Sequence, residues 1–274
     1  EEAARDPNDR VPTPLDGPVR PNDLVVTSDG STLVLVQRRG RAGAFDLTNG
    51  QALWNSTLEL NRVYEIEQAG DHVVIGGTTQ GGRGERAVAG VIALHKRTGE
   101  IVSRVPTRNL GDHARWIRAA GEDVIIATAT GLLRFSPASG QIVWSTLGAP
   151  GASSFAGWVV GEGLFVLDGD VNLWWVSLRD GSHADRPLDS RGRIVFPVNG
   201  VVMGNTLAIS STMGLVVFGE HGELLGADGL DGQNSLQTPI ASEKLFVAVE
   251  NNQRDEPGEQ GIVSRVFMFA HPTG

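Results

Sequence analysis

The sequence contains no cysteine among its 274 residues. This absence excludes a disulfide framework, a thiol nucleophile and a thiolate metal site. It does not indicate whether the compartment is oxidising or reducing, since disulfide-free domains occur in both. Basic residues are also outnumbered, with 23 Lys and Arg against 32 Asp and Glu, and no basic stripe is evident along the sequence. Because non-specific nucleic-acid binding depends on clustered Lys and Arg, no nucleic-acid partner is expected.

Segments that would enter a membrane are lacking as well. The N-terminal stretch EEAARDPNDRVPTPLDGP is too polar and too rich in proline for a signal peptide, so an export signal has been removed or was never present. The long uncharged segment 194–219 contains Gly, Asn, Ser, Thr and Pro, which favour short strands separated by turns over a spanning helix. No transmembrane segment is therefore expected in this chain.

One motif recurs six times. The stretch AFDLTNGQALW at 44–54 has relatives at 93–103, 134–144, 175–185 and 216–226, and a shortened one at 268–274. The turn glycines of these motifs are spaced by 49, 41, 41, 41 and 52 residues; they are Gly50, Gly99, Gly140, Gly181, Gly222 and Gly274. A small polar turn that leads into an apolar run precedes each motif, and the order of the two features is the same in every unit.

Each unit thus holds about four short strands joined by tight turns, and a period of about 40 residues with four strands is typical of a β-propeller blade. With the strands named A to D from the centre outward, the recurrent glycine lies in the C-to-D hairpin, where a positive φ is needed. The predicted fold is an all-β propeller over residues 23–274 with six four-stranded blades, after an N-terminal linker over residues 1–22. The alternative is a fragment of a seven- or eight-bladed propeller.

The two ends of the repeat array need a closing strand, because the sixth unit stops where its strand D would begin. Residues 15–19 of the N-terminal segment are the favoured source of that strand, since repeat chains need capped ends; otherwise the parent chain continues past Gly274. The stretch GDHARWIRAAG at 111–121 looks helical in isolation. It falls where the other units carry strand A, so a strand is predicted there.

The first motif carries a family resemblance. Ala44, Asp46, Gly50 and Trp54 match the A-x-D-x-x-T-G-x-x-x-W tryptophan-docking motif of the pyrroloquinoline-quinone-like (PQQ-like) β-propeller repeat family. The likeness is graded along the chain: later units keep Ala93, Gly99, Gly140 and Trp144, and the fourth and fifth keep little beyond Gly181 and Gly222. In that family the tryptophan packs against a neighbouring blade, which implies a structural role for Trp54 and Trp144. Four further tryptophans lie off the motif position: Trp116, Trp158, Trp174 and Trp175.

The resemblance implies two kinds of function. The family includes quinoprotein alcohol dehydrogenases, which resemble eight-bladed rings with bound PQQ, Ca²⁺, an aspartate base and a vicinal cysteine pair, and it includes a non-catalytic outer-membrane assembly lipoprotein. Six units and no cysteine favour the non-catalytic branch, with neither catalytic residues nor a cofactor expected. A dehydrogenase with PQQ and Ca²⁺ is the runner-up. The weak metal candidates are Asp168, Asp170 and Asn172, which begin like a Ca²⁺ loop but lack its later Gly and Glu.

Two units break the even spacing in the same hairpin, and this marks the predicted binding face. The B-to-C loops at 76–90 and 250–261 are long, and insertions on one face of a repeat array usually mark its working side; the alternative is that both are tolerated mobile excursions. In a closed ring the two loops would flank the first blade. The candidate partner-binding residues are Arg83, Glu85, Arg86, Arg254, Asp255 and Glu256, with His113 in a D-to-A loop.

The predicted function is a non-enzymatic interaction or scaffold module that takes a protein or peptide partner on this face. The family resemblance implies a periplasmic, secreted or cell-surface location. A sensor or ligand-binding domain of a larger surface protein is a further alternative, because the polar N-terminal segment would suit a linker.

Overall fold

The structure is a computed structural model. It describes residues 24–37, 39–79, 88–106, 114–152, 154–195, 198–211, 213–229, 235–236, 240–242, 245–256 and 259–270. All regular secondary structure in these ranges is β-strand, and no helix in them could span a membrane. Residue contacts divide the chain into two compact units, residues 1–147 and 148–274.

The first unit contains three four-stranded meanders, in which sequential strands are neighbours. The first sheet contains β1 (Leu24–Ser28), β2 (Thr32–Gln37), β3 (Arg41–Asp46) and β4 (Ala52–Thr57). The second contains β5 (Leu60–Ala69), β6 (His72–Thr79), β7 (Val88–His95) and β8 (Ile101–Pro106). The third contains β9 (Trp116–Ala120), β10 (Asp123–Ala127), β11 (Thr130–Ser136) and β12 (Gln141–Ala152).

The second unit also contains three sheets. The fourth sheet has three strands, β13 (Ala156–Val160), β14 (Gly163–Leu167) and β15 (Leu173–Ser177). The fifth is a four-stranded meander of β16 (Asn199–Met203), β17 (Thr206–Ser211), β18 (Gly214–Gly219) and β19 (Leu224–Gly229). In the sixth, β20 (Ser235–Leu236) and β21 (Ile240–Ser242) both pair with β22 (Leu245–Glu256), which also pairs with β23 (Glu259–Ala270).

The core of each unit lies between successive sheets. In the first unit one cluster of buried apolar side chains joins the first and second sheets, and another joins the second and third. In the second unit a cluster joins the fourth and fifth sheets. Central strands such as β14 and β18 are buried along their whole length because both of their faces are covered, so their sequences read as continuous apolar runs.

The C-to-D turns have the geometry that the glycine spacing predicts. In the first four sheets the turn glycine donates its N–H to the carbonyl four residues earlier, over 2.8 to 2.9 Å. In the fifth, Gly222 donates to Gly219, three residues earlier, over 3.0 Å. The φ angles of these five glycines lie between 70° and 82°, so the positive φ predicted for them is confirmed. Gly274 lies outside the described residues.

Strand A of the third sheet is β9, which confirms the strand prediction for a segment that looks helical in isolation. The uncharged segment 194–219 also forms strands, β16 to β18, with turns at 204–205 and near residue 213. The proposed closing strand at 15–19 lies outside the described residues.

The fourth sheet corrects the expectation of a strand D in every unit. After Gly181 the chain makes one isolated bridge, between Val176 and His183, and the amide of Leu188 donates to the carbonyl of Leu173 over 2.7 Å. Carboxylates in this segment accept backbone N–H groups locally, Asp180 from Ser182 and Asp189 from Arg191. Such local bonds compete with ladder pairing, and Pro187 has no N–H to contribute.

The sixth sheet corrects the expectation of a long B-to-C loop at 250–261. Both strands continue through this segment, with every residue from Leu245 to Glu256 paired, ending at Glu256 opposite Glu259. Strand A of this sheet, expected at 236–240, consists of the two short strands β20 and β21. In the second sheet the ladder likewise extends to Thr79 opposite Val88, and residues 80–87 lie outside the described residues.

Candidate interaction face

The meander topology gives each sheet two distinct ends. A-to-B and C-to-D turns lie at one end, here named the turn end. B-to-C hairpins and D-to-A connections lie at the other, here named the loop end, because the direction of an antiparallel meander reverses at every strand. The candidate residues lie at one or the other of these two ends, whose side chains differ in chemistry.

Trp54 joins the first sheet to the second at the turn end. Its indole Nε1 donates to the carbonyl of Lys96, in the C-to-D turn of the second sheet, over 2.7 Å. The ring covers Gly99 so closely that an added Cβ would lie 2.6 Å from Cδ2 of Trp54. Gly99 is therefore required both for its φ of 72° and for the close approach of the indole, which is the docking role expected from the motif.

Ser103 occupies the same motif position one sheet later. Its hydroxyl donates to the carbonyl of Pro137 over 2.9 Å, and Pro137 precedes Gly140 by three residues, as Lys96 precedes Gly99. Loss of the tryptophan from the motif thus removes apolar contact but keeps a donor to the same turn carbonyl. Trp144, the remaining motif tryptophan, is partly buried on β12.

Trp175 performs the docking role in the fourth sheet, although it lies off the motif. This side chain stands on β15, a strand C, and its Nε1 donates to the carbonyl of Glu220 in the next C-to-D turn over 2.6 Å. Gly163 and Gly222 leave room for the indole, since a Cβ on Gly222 would lie 3.2 Å from Cβ of Trp175. Sequence reasoning missed Trp175 because it searched for the indole after the turn glycine, on a strand D that this sheet does not form.

The turn end of the first unit is held by ion pairs around Lys96. Nζ of Lys96 lies 3.0 Å from Oδ2 of Asp29 and 3.4 Å from Oδ1 of Asp71. It also donates to the carbonyl of Gly70 over 2.9 Å. Burial raises the pKa of Asp29, but hydrogen bonds from Thr32, Lys96 and Ser31 outweigh it and hold that pKa far below the ordinary value. The hydrogen bond to Asp29 raises the pKa of Lys96.

Two histidines lie beneath this ion-pair cluster. His72 and His95 are opposite one another on β6 and β7, with ring centroids 6.4 Å apart and ring planes at 83°. Desolvation lowers the pKa of His72, with a further contribution from His95, so this imidazole favours its neutral form. No group of three or more His, Cys, Asp or Glu among the described residues could hold a metal ion.

Asp168, the best metal candidate, is used by its own hairpin. Oδ1 accepts the backbone N–H groups of Asp170 and Asn172, each over 2.9 Å. Oδ2 accepts from the side-chain amide of Asn172 over 3.2 Å and from Nε1 of Trp174 over 2.9 Å. Four donors therefore occupy the carboxylate, which orders the B-to-C turn of the fourth sheet as an Asx turn does.

The partner-binding candidates lie at the loop end or outside the described residues. Arg254, Asp255 and Glu256 form the last three rungs of β22, opposite Gly261, Gln260 and Glu259 of β23. The other four candidates, Arg83, Glu85, Arg86 and His113, lie outside the described residues. The Pro257–Gly258 dipeptide separates the two paired strands in the sequence, and it is the signal that could have indicated a tight turn between long strands in place of a long loop.

A desolvated carboxylate lies on β5, strand A of the second sheet. Burial raises the pKa of Glu67, while the charge of Arg118 on the neighbouring strand A, β9, lowers it in part. Arg118 is held by its own neighbours, with Nη1 donating to the carbonyl of Ile117 over 2.7 Å and the guanidinium 5.9 Å from the ring of Trp116. The negative charge of Glu67 is thus less well solvated in the folded chain than in the unfolded chain.

Replacing Glu67 with glutamine is expected to benefit stability more at pH 7 than at pH 4. Because folding raises the pKa of Glu67, this carboxyl binds more protons in the folded chain than in the unfolded chain at pH values above its ordinary pKa of 4.5. The stability of the folded chain therefore falls as the pH rises from the ordinary pKa through the raised one. Glutamine removes this dependence. Melting temperatures of both proteins at the two pH values would check it, and a larger relative gain at pH 4 would contradict it.

The comparisons with known proteins agree with this architecture. A family model described as outer membrane protein assembly factor BamB matches residues 87–274. Dihydro-heme d1 dehydrogenase NirN in complex with DHE is 15% identical with a TM-score of 0.57, over 84% of this chain and 50% of that chain. The C-terminal WD40 domain of Sif2 is 12% identical with a TM-score of 0.58, over 86% of this chain and 68% of that one. No curated protein sequence matches the chain significantly.

These likenesses confirm the predicted fold class, an all-β propeller of mainly four-stranded blades. At 15% identity or less they show the fold alone. The chain spans half the length of the heme d1 dehydrogenase structure that it matches.

Proposed function

Because the chain belongs to the PQQ-like family described as outer membrane protein assembly factor BamB, whose model matches more than half of it, we propose that it is a non-enzymatic protein-interaction module of the cell envelope. The fold supplies rigid blades, and the partner binds at the loop end. Binding residues on propellers and other repeat scaffolds commonly lie where hairpins are extended on one side of the array.

The observation that carries the proposal is the β22–β23 hairpin. Among the described residues, β20 and β21 pair with β22 only as far as Asn251, and residues 252–256 pair with β23 alone. The hairpin therefore continues past its sheet as a two-stranded ribbon of five rungs, roughly 17 Å long at the usual rise per residue. A two-stranded ribbon is only marginally stable in water, and a partner that covers it would supply the missing packing.

Shortening this ribbon is expected to abolish partner capture while the blades stay folded. Deleting residues 253–256 and 259–262 removes four rungs and joins Asn252 and Val263 through the Pro257–Gly258 dipeptide. An even number of rungs keeps the alternation of the ladder, so the remaining strands face as before. The tagged variant and the parent would be compared by cross-linking and affinity capture from cell-envelope extract.

The matched control removes the same number of charges without changing the ladder, by replacing Arg254, Asp255, Glu256 and Glu259 with serine. A serine variant that still captures the partner assigns recognition to the ribbon backbone, and one that does not assigns it to the charges. Undiminished capture by the shortened variant, with an unchanged melting temperature, would contradict the proposal.

A quinoprotein dehydrogenase is the competing function. Family enzymes of that type combine a Ca²⁺ site with a vicinal cysteine pair, whereas this sequence has no cysteine and its described residues offer no cluster of three metal-binding side chains. These two features are the reasons for which the non-enzymatic function is preferred. Addition of both, followed by dye reduction with alcohol substrates, is the discriminating assay, and turnover above a protein-free blank would overturn the non-enzymatic proposal.

A further inference from the structure

In the described part of the first unit, the loop end carries five exposed arginines from three successive blades. Arg39 lies in the B-to-C hairpin of the first blade and Arg41 begins β3 directly after it. Arg62 is near the start of β5, Arg104 is near the end of β8, and Arg115 immediately precedes β9. These residues are up to 76 positions apart, so the sequence shows no basic stripe and only folding assembles one.

The strand order and the pairing register together place all five at the same end. Arg41 is opposite Thr57, the last residue of β4, and Arg62 is opposite Thr78, next to the end of β6. The D-to-A connection contacts the B-to-C hairpin, since Leu58 donates its N–H to the carbonyl of Gly40 over 2.7 Å. Across the blades, the guanidinium of Arg104 lies 3.3 Å from Glu59, which stands in that same connection.

The turn end of the same unit has the opposite character. Its turns carry five carboxylates against Lys96 and Arg97, and Lys96 is already engaged by two of them. The carboxylates are those of Asp29, Asp46, Asp71, Glu100 and Glu122. At the loop end Glu59 is the acidic residue in the described connections, and it is paired with Arg104. The described residues of the first unit therefore carry charge of opposite sign at its two ends, although the whole chain has a net charge of −9.

The choice of cation indicates the ligand. Lysine occurs at only two positions in the sequence, Lys96 and Lys244, so the loop end of the first unit is basic through guanidinium groups. A guanidinium is planar and presents paired donors that match a carboxylate or phosphate in bidentate fashion. Arg62 is also oriented by an aromatic face, with its guanidinium 5.4 Å from the ring of Tyr64. Arginines spread over three blades suit an extended ligand with several anionic groups.

We propose that the loop end of the first unit binds an acidic polypeptide segment, whose Asp and Glu side chains pair with these arginines. This deepens the proposed function, on which it rests, by giving the chemistry of the partner. Nucleic acid and anionic membranes also offer multiple anions, but the net charge of −9 opposes approach to a densely charged phosphate surface. A short acidic segment avoids that repulsion because it needs to contact one end of one unit only.

The test uses a fluorescent peptide of alternating Glu and Ser and its matched Gln and Ser peptide, with the 274-residue chain at low salt. We expect the Glu peptide to bind, the Gln peptide not to bind, and affinity to fall as NaCl is raised, because exposed charge pairs are screened. In the R39Q/R62Q/R115Q variant the dissociation constant should rise about tenfold or more. The variant R97Q/R179Q/R186Q changes net charge equally at other surface sites, and it should bind within about twofold of the parent.

Equal weakening by the two triple variants would overturn the inference, because it would show attraction by net charge alone. Tighter binding of single-stranded DNA or of phosphatidylglycerol vesicles than of the peptide would also overturn it, in favour of a phosphate ligand. If the Glu peptide fails to bind while ribbon-dependent capture persists, this inference falls and the proposed function stands. If capture is lost from neither ribbon variant, the proposed function fails independently of the peptide result.

Discussion

Replacing Trp54 with alanine is expected to destabilise the first unit by about 3 to 5 kcal/mol, the usual cost of truncating a buried tryptophan. The side chain is 9% exposed and packs between two sheets, so its removal leaves a cavity and an unpaired Lys96 carbonyl. Replacement with phenylalanine keeps most of the packing and removes the donor, at a cost of about 1 to 2 kcal/mol. Denaturant unfolding followed by far-ultraviolet circular dichroism would measure both values without relying on tryptophan fluorescence.

Gly99 supplies the control for this contact. Alanine at Gly99 places a methyl group 2.6 Å from the indole and also strains a backbone with φ of 72°. When Trp54 is already alanine, only the strain remains, so the two substitutions together should cost less than their sum. Additive costs would show that the indole does not occupy the position described here.

Replacing Trp175 with alanine is expected to destabilise the second unit by about 3 kcal/mol, at the lower end of the same range because the side chain is only partly buried. The loss follows from the docking contact with the Glu220 carbonyl, which here takes the place of a motif tryptophan. Ser103→Ala removes a hydrogen bond of the same kind without a large cavity, and should cost about 1 kcal/mol. The same unfolding experiment compares the two.

A cost for Trp175→Ala no larger than that for Ser103→Ala would contradict the docking role. Trp174 offers a neighbouring comparison on the same strand, since its Nε1 bonds to Asp168 within its own hairpin. Its replacement should perturb the B-to-C turn and leave the contact with the fifth sheet intact.

Much of the fold could be predicted because its constraints are local and repeated. A C-to-D hairpin needs a residue with positive φ, and glycine marks that need in the sequence at Gly50, Gly99 and Gly140. Alternating and continuous apolar runs then fix which strands are central, as in β2 and β18. The place of the apparently helical segment 111–121 in the repeat predicts the strand that it contains, β9.

The features that were missed depend on departures from the repeat. The fourth sheet lacks a strand D because side chains such as Asp180 and Asp189 accept hydrogen bonds from backbone N–H groups two residues later in the chain. Trp175 then docks from strand C. Hydrophobic pattern alone does not reveal such competition. The polar residues at the end of β22 predict a loop, although the β22–β23 ladder satisfies their backbone N–H and C=O groups equally well.

The candidate site was predictable only in part for a related reason. Extended hairpins are visible as breaks in spacing, and they are the sequence feature from which a binding role for the loop end is predicted. The arginine surface joins residues from Arg39 to Arg115 that share no sequence pattern. Charge patterns of this kind arise from tertiary arrangement, which brings strand ends from separate blades together.

The central claim is that partners bind at the loop end, and site-specific photo-cross-linking tests it most directly. A photoreactive residue would replace Arg39 or Asp255 at the loop end and, as matched acid and base positions at the turn end, Asp71 or Arg179. In cell-envelope extract, protein adducts should form from the two loop-end positions and be absent from the two turn-end positions. Adducts that form from the turn end alone, or equally from all four positions, would contradict the account.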